Sequence, residues 1–203
     1  MINIYHNETY RISVVHDFIL PEECDEILRH SWQKLVPANV SSPDGKGQKH
    51  DGRTNSHTWL NHDTSDVILG VGERIAQMVR MPLENAEPFQ IIHYDVGQKY
   101  DYHYDSFDVS DEGYFDGYMK TGGQRLLTVL GYLRDVPKGG ETGFNQLGLN
   151  IQPRMGSIIV WYNCKPETNE RDEWSQHAGL PVLEGEKYAF NLWFREEKFI
   201  NDN

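Results

Sequence analysis

QKYDYHYDSF, residues 98–107, places His103 and Asp105 two positions apart. In a β-strand the side chains alternate between the two faces, so residues at i and i+2 point in the same direction. A third ligand from a distant segment can complete one triangular face of an octahedron, and SQHAG, residues 175–179, offers His177. Two imidazoles and one carboxylate hold non-haem Fe(II) and leave coordination positions open for oxygen and a co-substrate.

Each of these patterns is weak when taken alone, because the chain has 9 histidines and an H-x-D triplet arises easily by chance. The prediction rests on their order along the chain. The H-x-D motif is followed by a Gly-Gly-Glu-Thr turn at residues 139–142, then by His177 and, ten positions later, by Lys187. This order predicts an iron centre made by His103, Asp105 and His177, with Lys187 as the fixed cation that a dicarboxylate needs.

The segment KYAFNLWFR, residues 187–195, supports this role for Lys187 through strand geometry. Its alternating aromatic and apolar side chains form one face, which we expect to pack against protein. The other face carries Lys187, Ala189, Asn191, Trp193 and Arg195. This second face suits the wall of a cavity that holds an anion, because a buried carboxylate needs a cationic partner. The alternative is the solvent-exposed face of an edge strand.

Length and composition indicate an ordinary globular protein. A chain of 203 residues fits a single domain, residues 1–203, with a helical part at about 1–85 and a β core at about 86–199. Hydrophobic residues make up 38% of the chain and charged residues 25%. The 11 Tyr and 5 Trp favour sheets and a lined pocket over a helical bundle.

The net charge and the two cysteines restrict partners and compartment. A formal charge of −12 disfavours nucleic acid as a partner, since both would be negative. No apolar run has membrane-spanning length and the first residues lack a signal-peptide layout, so we expect no membrane partner. Cys24 and Cys164 lie far apart in the sequence and are predicted to be free buried thiols. We therefore expect a cytoplasmic protein, of a bacterium or of a virus-infected host.

The pattern along the chain indicates a first strand at residues 10–20, then helices, and then more strands. Two helices are predicted. The first spans residues 21–35, and its apolar, buried side is formed by Ile27, Leu28, Trp32 and Leu35. The second spans residues 63–79, and its apolar side is formed by Val67, Ile68, Val71, Ile75 and Met78. Strand patterns follow at residues 88–95, 99–105, 125–133, 147–153, 156–163, 177–182 and 186–194. Loops are predicted at 41–55 and, as a lid, at 106–123. The fold class is mainly β, a sandwich or barrel with N-terminal helices packed on one sheet.

Seven stretches together resemble the prolyl 4-hydroxylase family of Fe(II)/2-oxoglutarate dioxygenases, particularly its compact bacterial, algal and viral members. They follow the family's order from about Val14 to Arg195 and are FILPEECDEIL, RTNS, YDVGQKYDYHYD, GGQRLLTVLGYL, DVPKGGETGF, IQPRMGSIIVW and HAGLPVLEGEKYAFNLWFR. The resemblance implies a double-stranded β-helix (jelly roll) with the helices packed on its major sheet.

The resemblance also implies the cofactor site. His103, Asp105 and His177 take the positions of the iron ligands. Lys187 takes the position that pairs with the distal carboxylate of 2-oxoglutarate, helped by hydroxyl groups of other residues. These hydroxyl groups belong to Tyr94, Thr142 and Tyr132.

Further matching positions lie on the substrate side. Arg125 matches an arginine important for activity, and Tyr100 and Trp193 match aromatic residues that line the proline site. Arg53 lies in a loop associated with the peptide groove, although this chain reads R-T-N where the family commonly reads R-T-S. Tyr100 has the opposite strand parity to His103, so it reaches the site only if the backbone bends; otherwise it is a packed aromatic. Arg195, eight positions beyond Lys187, is expected at the outer mouth of the site.

The activity implied is hydroxylation of prolyl residues in a peptide or protein, as by procollagen-proline 4-dioxygenases, with O2 as co-substrate and ascorbate as a candidate reductant. The Asp105 carboxylate favours hydroxylation, because related halogenases lack it. Two alternatives remain open at this point. One is hydroxylation of a free amino acid or another small molecule on the same scaffold, and the other is a non-catalytic jelly-roll binding module.

Overall fold

The computed structural model describes residues 4–38, 51–108 and 119–200. Within these ranges it contains the helices α1 (Pro21–Ser31) and α2 (Asp66–Val79). The strands of the described residues are β1 (Ile4–Asn7), β2 (Ile12–Val15), β3 (Val36–Pro37), β4 (Ser56–Leu60), β5 (Phe89–Tyr94), β6 (Tyr100–His103), β7 (Arg125–Tyr132), β8 (Lys138–Gly139), β9 (Thr142–Phe144), β10 (Leu149–Ile151), β11 (Ile158–Tyr162), β12 (His177–Gly179), β13 (Val182–Glu184) and β14 (Lys187–Arg195).

The strands form two main sheets in which all neighbouring strands run antiparallel. The larger sheet has eight strands in the order β1-β2-β11-β7-β14-β5-β4-β3, and the smaller has four in the order β10-β9-β12-β6. Strands β8 and β13 make a separate pair. The strands in the middle of the larger sheet, β2-β11-β7-β14-β5, and the pairs of β12 with β9 and β6 come from distant parts of the sequence, which is the crossover pattern of a jelly roll. The fold class expected from the sequence is confirmed.

The helices pack on one face of the larger sheet. Glu23 accepts a hydrogen bond from the Leu20 N–H at 2.8 Å and so caps the start of α1. Ser65 accepts from the Ile68 N–H at 3.3 Å at the start of α2, which ends before Pro82 as predicted. The apolar sides of both helices and the helix-facing side of the sheet share one core, which includes Ile27, Ile68, Val71, Ile75, Ile91, Val129, Phe190, Leu192 and Phe194.

A second apolar core lies on the opposite face of the larger sheet, between it and the smaller sheet. It contains Ile12, Ile92, Leu130, Phe144, Ile159, Trp161 and Ala189, together with the rings of Tyr94 and Tyr132. Ala189 belongs to the face of β14 that also carries Lys187, so that face points inward. The solvent-exposed alternative for this face of β14 is therefore wrong.

Three details of the sequence prediction need correction. Trp32 and Val67 were assigned to the buried stripes but are 57% and 39% exposed, because α1 ends one residue before Trp32 and Val67 turns away from the sheet. The turn expected at residues 139–142 contributes Thr142 to strand β9. Strand β2 was predicted, but the short strands β1, β3, β4, β8, β9 and β13 were not. Most of the two loops expected at 41–55 and 106–123 lies outside the described residues.

Both cysteines, Cys24 and Cys164, are free and buried, as expected. Burial raises the pKa of the Cys24 thiol to about 11 and that of Cys164 to about 12, so both remain protonated at neutral pH. Across the described residues, no helix combines the length and the apolar character needed to cross a membrane.

Candidate active site

The pairing of β6 with β12 brings two histidines from distant segments together. His177 lies directly opposite His103 in this ladder, and the two ring centroids are 4.3 Å apart. Asp105 follows β6 by two residues and faces both rings: its Oδ1 lies 3.7 Å from His103 Nε2, and its Oδ2 lies 3.6 Å from His177 Nε2. The structure thus assembles the three ligand-type side chains in one place.

Hydrogen bonds to the backbone fix which nitrogen of each histidine faces the centre. His103 Nδ1 donates to the Asp101 carbonyl at 2.7 Å, and His177 Nδ1 donates to the Ser175 carbonyl at 2.9 Å. Nε2 of each ring therefore carries the lone pair and points toward Asp105. Nitrogen and oxygen ligands bind transition metals at about 2.1 Å, so one ion can bridge atoms 3.6–3.7 Å apart. The donor set fits iron.

The protonation states also suit a metal. Burial, with the neighbouring His177, lowers the pKa of His103 to about 3, so its imidazole is neutral at pH 7. Burial alone would raise the pKa of Asp105, but His177, His103 and Arg125 outweigh it and lower the pKa to about 2. A neutral imidazole and an ionised carboxylate are the forms that bind metal ions.

The larger sheet supports Asp105 from behind. The Thr128 hydroxyl donates to Asp105 Oδ2 at 2.7 Å, and Asn163 Nδ2 lies 2.9 Å from Thr128 Oγ1. The Trp161 ring, fully buried, packs 4.7 Å from the His177 ring. Sequence reasoning did not select these three residues; the available signal was a threonine inside the apolar strand RLLTVLGY.

Lys187 is enclosed among residues of the second apolar core. It is 1% exposed, and burial lowers its pKa to about 7 against the opposing effect of Glu141. Its Nζ lies 5.2 Å from the centre of the Tyr94 ring and 5.6 Å from that of Tyr132. The Tyr132 hydroxyl is 2.7 Å from Thr142 Oγ1. The structure therefore brings together the cation and the hydroxyl residues predicted around it.

Arg125 and Arg195 share a buried carboxylate that the sequence did not reveal. Glu87 accepts from Arg125 Nε at 2.5 Å and from Arg195 Nε at 2.6 Å. Burial raises the pKa of Glu87, but the two guanidinium groups outweigh it and lower the pKa below its usual value. The Arg125 guanidinium lies 3.7 Å from the centre of a Trp193 ring, which is buried.

The position of Arg195 differs from the expectation. We expected it at the outer mouth of the site, but it is 2% exposed and its Nη1 also donates to the Gly123 carbonyl at 2.6 Å. The prediction used only the distance from Lys187 along an extended strand, and it did not include the register shift between Phe194 and Arg195 in the pairing of β14 with β7. The Glu87 carboxylate then makes burial of this cation possible.

Tyr100 reaches the ligand cluster despite its strand parity. Its ring stacks on that of His103, with centroids 3.6 Å apart and planes 19° apart. We expected Tyr100 to reach the site only if the backbone bends. The pairing of β6 with β12 has such an irregularity, because its register shifts between His177 and Gly179. The Arg53 guanidinium also contacts this ring, 4.6 Å from the centre of Tyr100. Arg53 and Tyr100 thus form one wall beside the ligands.

A second H-x-D triplet in the chain forms a different kind of cluster. His93 and Asp95 lie near Glu186, with His93 Nε2 3.8 Å from Asp95 Oδ1 and 3.2 Å from Glu186 Oε2. Both carboxylate side chains are more than half exposed, at 61% and 53%. These features are typical of a solvated ion-pair cluster, in contrast to the enclosed cluster at His103.

Comparison with known proteins agrees with this geometry. The family model of the 2OG-Fe(II) oxygenase superfamily matches residues 89–195. Prolyl 4-hydroxylase 5 of Arabidopsis thaliana is 35% identical over 209 residues, which cover 93% of this chain and 69% of the relative. The chain belongs to the prolyl 4-hydroxylase family. As a member of this family of 2-oxoglutarate oxygenases, it uses Fe(II) and 2-oxoglutarate.

Solved structures of this family share the fold. The 2-oxoglutarate complex of the viral collagen prolyl hydroxylase from Paramecium bursaria Chlorella virus 1 is 28% identical, with a TM-score of 0.72 over 91% of this chain and 95% of that one. A Trichoplax adhaerens prolyl hydroxylase in complex with a hypoxia-inducible factor peptide fragment has a TM-score of 0.64 over 91% of this chain and 83% of that one. At 16% identity, the second match shows the shared fold alone.

Proposed function

We propose that this protein hydroxylates prolyl residues in a peptide or protein, as an Fe(II)- and 2-oxoglutarate-dependent dioxygenase. The proposal rests on one observation: the side chains of His103, Asp105 and His177 lie together as a candidate metal site. The proteins to which this chain is similar include prolyl hydroxylases. The enclosed position of Lys187 argues against a non-catalytic jelly-roll module, which would not need a buried cation.

In this proposal His103 Nε2, His177 Nε2 and the Asp105 carboxylate hold the iron. The bound metal supplies activation of O2 coupled to oxidative decarboxylation of 2-oxoglutarate. The chain orients the two imidazoles through the Asp101 and Ser175 carbonyls, so that each ring presents its Nε2 to the metal. Asp105 also brings a negative charge that lowers the net charge of the bound cation.

Lys187 binds the distal carboxylate of 2-oxoglutarate in the proposal. Its ammonium lies inside the apolar core between the sheets, where an unpaired charge is costly, so an anionic ligand satisfies it. The hydroxyl groups of Tyr94, Thr142 and Tyr132 are assigned as its partners around that carboxylate. Burial raises the pKa of both tyrosines above the ordinary value, so both remain hydrogen-bond donors at any working pH.

On the substrate side, the proposal assigns the groove to residues on the open side of the ligand cluster. Tyr100 and Trp193 are the aromatic walls for the proline ring, and Arg125 lies over Trp193. Arg53 continues this wall beyond Tyr100. Arg195 acts on the groove through Glu87, which it shares with Arg125, because it is buried behind that carboxylate.

Three less direct assignments belong to the same proposal. The chain works as one domain across its helical and β parts, because the helices and the larger sheet share a core. Ascorbate serves as the reductant that restores Fe(II) after turnover without substrate, as the family resemblance implies. A cytoplasmic location is supported by the free thiols of Cys24 and Cys164.

The test combines metal binding with product analysis. Wild-type protein, incubated with Fe(II), 2-oxoglutarate, O2 and proline-containing peptides, is expected to add one oxygen atom to a prolyl residue, seen by tandem mass spectrometry. Anaerobic addition of Fe(II) and 2-oxoglutarate is expected to give a weak visible charge-transfer band. His103→Ala combined with Asp105→Ala is expected to abolish both signals.

The chain offers a matched control in its other H-x-D triplet. His93→Ala combined with Asp95→Ala removes the same side-chain types at the same spacing and is expected to keep the band. A band that survives the first double variant at full strength would show that the ligand assignment is wrong. Oxygen added to a free amino acid but to no peptide would instead identify a small-molecule hydroxylase.

A further inference from the structure

A buried chain of hydrogen bonds connects the larger sheet to the carboxylate of the ligand cluster. Thr128 lies in the middle of the apolar strand β7 and is 0% exposed. Its hydroxyl is 2.7 Å from Asp105 Oδ2. Asn163, also 0% exposed, follows β11 and places its side-chain amide 2.9 Å from the same hydroxyl oxygen. Polar groups buried this completely are kept in protein interiors when they are hydrogen-bonded.

The Asp105 carboxylate determines the direction of both hydrogen bonds, from Thr128 to Asp105 and from Asn163 to Thr128. A carboxylate that serves as a metal ligand is ionised and can only accept, so Asp105 Oδ2 is the acceptor for the Thr128 hydroxyl. The single hydroxyl proton of Thr128 must therefore point at Asp105 Oδ2. The Thr128 oxygen is then free to accept, and the amide N–H of Asn163 is the donor that satisfies it. Asn163 thus sets the orientation of the threonine hydroxyl.

The backbone of Asn163 also contacts the segment that carries a second ligand. Its carbonyl accepts from the Asp172 N–H at 2.9 Å, and the Asp172 carbonyl accepts from the Ser175 hydroxyl at 2.7 Å. The Ser175 carbonyl in turn accepts from His177 Nδ1 at 2.9 Å. Asn163, the first residue after β11, is therefore connected by hydrogen bonds to both Asp105 and His177.

We propose that Thr128 is a positioning residue for the metal centre and that Asn163 acts through it. The Thr128 hydroxyl donates to Asp105 Oδ2 and so limits rotation of the carboxylate, which keeps it facing His103 and His177. Without this bond the carboxylate would be free to rotate, and the fixed arrangement of donor atoms that favours metal binding would be lost. The inference rests on the proposed metal site, and partners behind metal ligands typically affect metal affinity by about 10- to 100-fold.

The test measures metal binding directly, with no turnover. Mn(II) is titrated into metal-free protein and its dissociation constant is read from the loss of the free-ion electron paramagnetic resonance signal. Thr128→Val keeps the shape of the side chain and removes the hydroxyl, so we expect its dissociation constant to rise about 10- to 100-fold. Thr128→Ser restores the hydroxyl and is expected to bind within about threefold of wild type.

Two further variants test the role of Asn163 and the specificity of the effect. Asn163→Leu is expected to weaken Mn(II) binding less than Thr128→Val, and the double variant is expected to bind like Thr128→Val alone, because both changes act on one hydrogen-bond chain. Thr58→Val is the matched control: Thr58 is half-buried on β4, opposite Ile91 on the helix-facing side of the sheet. Its Mn(II) affinity is expected to equal that of wild type.

The melting temperature of each metal-free variant separates positioning from plain structural support. A Thr128→Val protein that melts lower but binds Mn(II) like wild type would overturn the inference, as would additive effects of the two replacements. Failure of the wild type itself to bind Mn(II) would instead contradict the proposed metal site. The two failures are therefore distinguishable in one titration series.

Discussion

Lys187 allows a test of the cofactor pocket that depends on the protonation state of one group. Its side chain is 1% exposed, and burial lowers its pKa to about 7 in the absence of a ligand. Pairing with the distal carboxylate of 2-oxoglutarate requires the protonated form, so binding above pH 7 takes up a proton. We therefore expect the dissociation constant of 2-oxoglutarate to rise about tenfold per pH unit above pH 7 and to level off below it.

The size of the effect of removing Lys187 follows from its burial. Lys187→Ala would leave the carboxylate of 2-oxoglutarate in an enclosed site without a counter-ion. Loss of one partner of a buried, hydrogen-bonded charge pair costs about 2–5 kcal/mol, so the dissociation constant should rise by at least about 30-fold. Lys187→Arg keeps a charge that does not titrate below about pH 12, so its affinity, although weakened by the larger head group, should not change between pH 7 and 9.

The assay is an anaerobic titration of the Fe(II)-loaded protein with 2-oxoglutarate, followed by the charge-transfer band at several pH values between 6 and 9. Comparison of wild type with Lys187→Arg isolates the titration of Lys187 from other pH effects, since both carboxylates of 2-oxoglutarate stay ionised in this range. Equal pH slopes for these two proteins would refute the reasoning. So would a Lys187→Ala protein that binds 2-oxoglutarate within about threefold of wild type.

Three other replacements probe the packing around the site. Glu87→Gln leaves two buried arginines without their carboxylate and should lower the free energy of unfolding, measured in urea, by about 3–5 kcal/mol. Glu84 is exposed, so the control Glu84→Gln should change this free energy by less than about 0.5 kcal/mol. Equal effects of the two replacements would contradict the prediction. Tyr94→Phe should raise the 2-oxoglutarate dissociation constant at least about tenfold at unchanged stability, and unchanged affinity would remove this residue from the pocket. Gly131→Ala would place a Cβ 2.3 Å from the buried ring of Phe190 and should lower the free energy of unfolding by about 1–3 kcal/mol. A Cβ at Gly70, in helix α2, would meet nothing within 4 Å, so Gly70→Ala should be neutral or stabilising. Similar melting temperatures for the two variants would count against the packing described.

Much of the architecture was predictable because it depends on local alternation. The two faces of β14 could be assigned from the sequence, and the structure places Phe190 and Leu192 toward the helices and Lys187 toward the interior between the sheets. Helix α2 ends before Pro82 for a reason visible in the sequence, since the residue before a proline disfavours helical backbone. The prediction for Arg195 failed because it used only the distance along β14, whereas the burial of this residue depends on its ion pair with Glu87, which lies far away in the sequence.

The ligand cluster shows where local information ends. The chain contains HYD twice, at His93-Tyr94-Asp95 and at His103-Tyr104-Asp105, with the same residues at the same spacing. In both triplets the side chains lie near further polar groups, but only the second is enclosed and has a histidine from a distant strand opposite it. No pattern within either triplet distinguishes them.

The sequence by itself determined the residue types available for an iron site and the strand faces on which they lie. Only the tertiary structure places His177 directly opposite His103, and only it shows which carboxylate makes the burial of Arg125 and Arg195 possible. The physical reason is the same in both cases. Strand pairing and ion pairing join residues that are far apart in the chain, and their energies depend on distance and burial, which do not exist until the sheets have assembled.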